Sequence, residues 1–230
     1  MITLALDTSG KSAAVALTVD GQVRFEISQN TGRHHSLILL PAIEESCRKS
    51  GVTPGDIDLF ALTIGPGSFT GLRIAAGTVK GLSLVSGRPA VGVSTLDALV
   101  HPVFPTPCLL CAMLDAQRGQ VYAAVYRHRE GEWYRIGPER LLGLDELIAA
   151  LPPEPVLFIG DGAERHHEAL TERHPGGCRF AGEMHRHVRA AAVALLGERR
   201  YVDGETLDLN HFAPRYLRAS EAERLRLGTG

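Results

Sequence analysis

No stretch of this 230-residue chain comes near the ~20 consecutive apolar residues that a membrane span requires. The first residues carry neither the charged start nor the small-residue cleavage site of a secretory leader, so a cytoplasmic setting is expected. A basic surplus is missing too: 24 Lys and Arg stand against 26 Asp and Glu, for a formal net charge of −2. Proteins that grip nucleic acid alone draw their affinity from phosphate contacts, so any RNA role is expected to be shared with a partner. Cysteine is scarce. Cys47, Cys108, Cys111 and Cys178 have no disulfide-framework spacing and read as reduced buried thiols, and Cys108-x-x-Cys111 lacks the second pair of a zinc site. No two of the ten histidines are four positions apart and no H-E-x-x-H occurs, which disfavours a helical zinc site. A G-x-S-x-G nucleophile elbow is also absent.

What is present is the patterning of a folded domain. Residues 2–6 form an apolar run that stops at Asp7-Thr8-Ser9-Gly10, and 13–19 resumes as a second strand. Asp20-Gly21 is a two-residue turn signal, and 23–28 alternates Val23, Phe25 and Ile27 with Arg24 and Glu26. Helical spacing follows over 36–50, with Leu37, Leu40, Ile43 and Cys47 on one stripe and Gly51 as the stop. Residues 57–64 read as a buried strand, 65–71 as a glycine loop, 72–85 as a helix, 90–93 as a strand and 95–100 as a short helix. After the prolines at 102–107 the same order restarts. Strands are predicted at 108–114, 120–126 and 133–136, a helix at 144–151, a strand at 156–159, a helix at 163–173, a strand at 178–180 and an Ala-rich helix at 184–200. Each half closes its first strand with an aspartate and its fourth with a glycine turn, which is the mark of a duplicated α/β unit.

Three constellations are candidates for chemistry. The loop Gly65-Pro66-Gly67-Ser68-Phe69-Thr70-Gly71 sits between a strand and a helix, where backbone N–H groups can meet an anion. It has neither G-x-G-x-x-G spacing nor a Gly-Lys-Ser/Thr ending, so a structural turn capped by Ser68 or Thr70 is the favoured reading. The helix after it is dense in small residues, among them Gly71, Ala75, Ala76, Gly77, Thr78 and Gly81, and such a helix admits another at close range. Asp7 and Asp115 end the first strand of each half. In a two-lobed fold such carboxylates can hold a hydrated magnesium ion, yet turn chemistry alone accounts for each.

The segments Leu4-Ala5-Leu6-Asp7-Thr8-Ser9, His35-Ser36 with Leu40-Pro41, and GPGSFTGLR at 65–73 together resemble the TsaB family. Val93-Ser94-Thr95-Leu96, Leu114-Asp115-Ala116-Gln117-Arg118, Gly160-Asp161-Gly162-Ala163 and Pro214-Arg215-Tyr216-Leu217-Arg218 agree, so the resemblance spans nearly the whole chain. It implies the actin-like (ASKHA) α/β fold, with two duplicated lobes, each a mixed five-stranded sheet flanked by helices. The lobes are expected at 1–101 and 102–210, with a tail at 211–230. The resemblance also implies a non-catalytic subunit that works with the paralogous TsaD and the small ATPase TsaE in threonylcarbamoyl transfer to a tRNA adenosine beside the anticodon. TsaD carries an H-x-x-x-H metal motif after its glycine-loop helix, and the resemblance puts Thr95 and Leu99 at the positions of its two histidines, where a leucine cannot ligate a metal.

On that resemblance the partner interface is expected at Leu37, Leu40, Pro41, Glu44, Phe69, Leu72, Arg73, Ala75, Ala76, Val79 and Lys80. A relic of a nucleotide site is expected at Asp7, Thr8, Ser9, Asp115, Gly160 and Gly162, with no catalytic residue, no metal and no tightly bound cofactor. ATP or ADP at the subunit junction, tRNA reached only through the complex, and self-association of the isolated chain are further expectations. An actin-fold ATPase or small-molecule kinase acting alone is the competing reading, and a peptidase has no nucleophile constellation behind it. Arg199, Arg200, Arg215, Arg218, Arg224 and Arg226 read either as phosphate contacts or as a solvated face.

Overall fold

The computed structural model describes residues 1–30, 32 and 34–218. The described chain divides into two compact units: the first combines Met1–Pro102 with His187–Pro214, and the second is Val103–Arg186 together with residues 215–218. In the first unit β1 (Ile2–Asp7), β2 (Ala13–Val19) and β3 (Gln22–Gln29) form an antiparallel meander, then α1 (His35–Ser50), β4 (Leu59–Gly65), α2 (Phe69–Ser86), β5 (Ala90–Ser94) and α3 (Thr95–Val100) follow. The sheet order is β3-β2-β1-β4-β5, with β4 and β5 parallel to β1. Gly51 closes α1 in the left-handed conformation at φ 69°, as its place after the last apolar residue predicts.

The second unit repeats the plan. β6 (Leu109–Asp115), β7 (Gln120–Arg129) and β8 (Glu132–Arg135) are antiparallel, and β9 (Arg140–Gly143), α4 (Leu144–Ala150), β10 (Val156–Ile159), α5 (Asp161–Arg165), α6 (His167–Arg173) and β11 (Cys178–Phe180) complete it. The order β11-β10-β6-β7-β8 matches the first sheet strand for strand. It is six-stranded, not five-stranded as expected, because β8 pairs with the end of β7 while β9 pairs with its beginning. The helix expected at 163–173 is two helices meeting at His166, whose φ of −109° is not helical.

The last helix, α7 (Ala190–Val202), corrects the expected boundary of the second lobe, because it packs on the sheet of the first unit. The reason lies in strand volumes. Leu4, Leu6, Val15, Leu17, Phe60 and Leu62 point to one face of the sheet, where α1 and α2 cover them. Each such side chain contributes roughly 1.5–3 kcal/mol when fully buried. The alternate positions Ala5, Ala14, Ala16 and Ala61 leave a shallow opposite face, and only a helix of small residues fits it closely. Ala190, Ala192, Val193 and Ala194 of α7 are buried there, and a Cβ added to Gly197 would lie 2.7 Å from the Ala61 Cβ. No described helix is long and apolar enough to cross a membrane.

Candidate functional site: an open helix pair and two aspartate turns

α1 and α2 lie side by side on the large-residue face of the first sheet. Their inner stripes are core: Ile38, Leu39, Ala42, Ile43 and Cys47 from α1, and Leu72, Ala75 and Val79 from α2. The expectation that Leu72, Ala75 and Val79 meet a partner is therefore corrected, since all three are 0% exposed within the chain itself. Leu37, Leu40, Pro41, Glu44, Arg73 and Lys80 do lie on the surface, with Phe69 and Ala76 half-buried. The Arg73 guanidinium sits 4.1 Å from the centre of the Phe69 ring, a cation–π contact that holds both on the outer face. Between them and the end of the helix, Gly77 and Gly81 are open: a Cβ added at either meets nothing within 4 Å. Beyond the glycines, Leu84 and Val85 are 83% and 90% exposed. Neither was among the expected interface residues, and both fall on the glycine side of the helical wheel.

The glycine loop packs against the end of β1. A Cβ on Gly71 would fall 1.8 Å from the Thr8 carbonyl oxygen, and one on Gly67 would fall 2.4 Å from that of Ser9. The Thr8 hydroxyl donates to the Gly71 carbonyl at 2.7 Å, and the Ser68 N–H donates to the Ser9 carbonyl at 2.7 Å. The Ser68 hydroxyl accepts from the Gly71 N–H at 3.2 Å, capping α2. These glycines thus serve backbone contact, in line with the structural reading of the loop.

Asp7 is 1% exposed, and its Oδ1 accepts from the Ser9 N–H at 3.1 Å, the Ser9 hydroxyl at 2.6 Å and the Thr63 hydroxyl at 2.6 Å. Burial raises its pKa above the ordinary carboxylate value, and the bonds from Ser9 and Thr63 work against that shift. In the second unit the Asp115 carboxylate takes an ion pair from Arg165 at 2.6 Å and the Gln117 N–H at 2.9 Å, while its own N–H donates to Asp161 at 2.9 Å. Gly160 ends β10, and Gly162 lets α5 approach β6, since a Cβ there would stand 2.9 Å from the Leu114 carbonyl carbon. So Asp7, Thr8 and Ser9 share one turn, and the end of β6 at Asp115 lies against the separate turn that holds Gly160 and Gly162. Among the described residues no group of three His, Cys, Asp or Glu side chains is placed to hold a metal ion. Thr95 and Leu99, at 0% and 1% exposure, are core residues of α3.

The late arginines are engaged inside the chain. Arg200 donates to the Gly92 carbonyl at 2.9 Å and to Asp97 at 3.3 Å, Arg215 pairs with Glu139 at 3.2 Å, and Arg218 donates to Gln120 at 2.5 Å. Arg224 and Arg226, with the rest of the expected tail from 219 onward, lie outside the described residues.

Two sheets of one strand order, each a meander followed by two parallel strands and each with an aspartate closing its first strand, define an actin-like α/β protein. A ROK hexokinase from Thermus thermophilus has this fold, with a TM-score of 0.51 at 16% identity over 89% of this chain and 100% of that one. Similarity is much greater elsewhere. The TsaB protein of Escherichia coli is 37% identical over 95% of both chains, and that of Bacillus subtilis is 30% identical over 97% of this chain and 96% of its own; both are described as tRNA threonylcarbamoyladenosine biosynthesis proteins. YeaZ from Pseudomonas aeruginosa superposes with a TM-score of 0.80 at 27% identity, over 94% of this chain and 99% of that one. The family model for TsaD, tRNA N6-adenosine threonylcarbamoyltransferase, matches residues 26–225. The chain belongs to the TsaB family.

Proposed function

We propose that this chain is the non-catalytic subunit of a cytoplasmic complex that makes threonylcarbamoyladenosine in tRNA, and that it docks the catalytic paralogue TsaD through the outer face of α1 and α2. TsaE is the third member, and tRNA is reached through the complex. Family membership supports the pathway. One observation supports the docking face: Gly77 and Gly81 occupy an exposed helix where nothing among the described residues requires a small residue. A glycine there costs about 1 kcal/mol relative to alanine, and we assign the requirement for small size to a partner. Leu84 and Val85 continue that stripe along α2 and Leu37 and Leu40 stand exposed on α1, and such apolar surface is normally covered by a partner.

The test is calorimetry of purified TsaD against this chain and its Gly77→Arg variant, with threonylcarbamoyladenosine in tRNA measured by mass spectrometry after the three proteins are combined. Loss of both binding and modification in Gly77→Arg supports the reading; unchanged binding rejects it. Ala75→Glu is no substitute, because Ala75 lies in the core and a buried charge there unfolds the unit. Titration of ATP into the isolated chain separates this reading from a stand-alone kinase, which requires micromolar binding.

A further inference from the structure

We infer that His35 is the positioning residue of the docking helix α1, fixing its first turns to the aspartate turn after β1; this rests on the docking role proposed above. α1 begins weakly. His34 at its N-cap makes no side-chain capping bond, and no acidic residue stands in the first turn to meet the free N–H groups. Six residues on, Pro41 interrupts the helix. It has no N–H to offer the Leu37 carbonyl, and its ring crowds that same carbonyl. The segment His35 to Leu40 is therefore joined to the body of the helix by fewer bonds than a regular helix supplies. That segment carries Leu37 and Leu40, which are 67% and 55% exposed.

A specific tie replaces the missing bonds. The His35 Nε2 lies 3.0 Å from the Gly10 carbonyl oxygen. A carbonyl only accepts, so Nε2 carries the proton. Gly10 follows Ser9, whose N–H and hydroxyl are both held by the buried Asp7 carboxylate, and Asp7 also takes the Thr63 hydroxyl of β4. The route from the sheet to the docking helix is thus β4 to Asp7, to Ser9, to the Gly10 carbonyl, to His35. On the other side of the helix only Ile38 and Leu39 of this segment are buried. Burial of two apolar side chains limits the distance of the segment from the sheet, whereas the directional bond sets its register along it.

The experiment compares the full chain with His35→Ala and His35→Gln, by amide hydrogen exchange of the isolated protein and by calorimetric affinity for TsaD. Glutamine offers an N–H donor and restores the bond to Gly10; alanine removes it. In His35→Ala, exchange of the Leu39 and Leu40 amides, which in α geometry bond back to His35 and Ser36, rises about five-fold, the equivalent of one neutral hydrogen bond. Affinity for TsaD falls by a similar factor, and His35→Gln returns both to within about two-fold of the parent. Unchanged exchange in His35→Ala, or no rescue by glutamine, overturns the inference. Gly77→Arg serves as the control for docking. If it abolishes binding while His35→Ala binds as the parent does, the positioning role is wrong. If Gly77→Arg itself binds normally, the docking reading fails, and the exchange measurement alone decides whether His35 fixes the helix.

Discussion

Replacing Gly77 and Gly81 together by alanine puts two methyl groups on the outer face of α2, where nothing lies within 4 Å. Each change relieves the cost of an exposed helical glycine, about 0.8–1 kcal/mol, through the smaller conformational freedom of the unfolded chain. The sites are a turn apart and share no partner, so the effects add to about 1.5–2 kcal/mol. For a chain of this size that raises the thermal midpoint by about 3–8 °C, measured by calorimetry on the isolated protein. Docking responds in the opposite direction. A helix seated against the glycines is held off by the two methyls, and overpacking of a close contact costs about 1–3 kcal/mol, an increase in Kd for TsaD of roughly 5- to 150-fold. A variant that is more stable yet binds worse is the signature of surface reserved for another molecule. A lower midpoint would mean that α2 packs differently from this description, and an unchanged Kd would refute the assignment of this face to docking.

Other perturbations read other parts of the molecule. Gly197→Ala places a Cβ 2.7 Å from the Ala61 Cβ, so despite a better helix residue the chain loses about 1–3 kcal/mol in urea denaturation. Asp7 binds its proton more tightly folded than unfolded, so it lowers stability progressively as pH rises from its ordinary value of 3.8 through its raised folded value. Asp7→Asn removes that slope, and the stability difference in favour of asparagine should widen over that window and then level off, as followed by urea midpoints. Burial pushes the Cys111 thiol up to about 12, so iodoacetamide at neutral pH should leave it unmodified in the native chain and label it once denatured.

The sequence was most legible where local chemistry acts alone. The alternation of Val23, Phe25 and Ile27, the Asp20-Gly21 turn, and the aspartate ending each first strand lead to the opening antiparallel meander and to the duplication. β9 escaped because Arg140–Gly143 is four residues long with two apolar positions, too short for a period to register. The interface list mixed two faces of α2. Leu72 with Arg73, Ala75 with Ala76 and Val79 with Lys80 are neighbours in sequence, about 100° apart on the wheel, and the 72, 75, 79 spacing marks the core stripe. Whether a stripe of small residues faces a sheet or open space is a tertiary fact. Here it divides: Gly71 and Ala75 go inward, Gly77 and Gly81 outward. The tie from His35 to Gly10 joins residues 25 apart through a backbone carbonyl, and a carbonyl leaves no trace in residue identity.

The placement of α7 also sets the order in which this protein can fold as it leaves the ribosome. The first unit has its five strands once Ser94 is made, but the alanine face formed by Ala5, Ala14, Ala16 and Ala61 stays wet until Ala190 to Gly197 emerges. Translation of the intervening hundred or so residues takes about 5–20 seconds at ordinary rates, while the main segment of the second unit, Val103–Arg186, with all of its described strands, becomes available first. The later-encoded unit is therefore free to close before the earlier one. A released chain ending at Arg186 should expose a half-covered first sheet to chaperones and proteases, while its second unit has every described strand and lacks the contacts of Arg215 and Arg218.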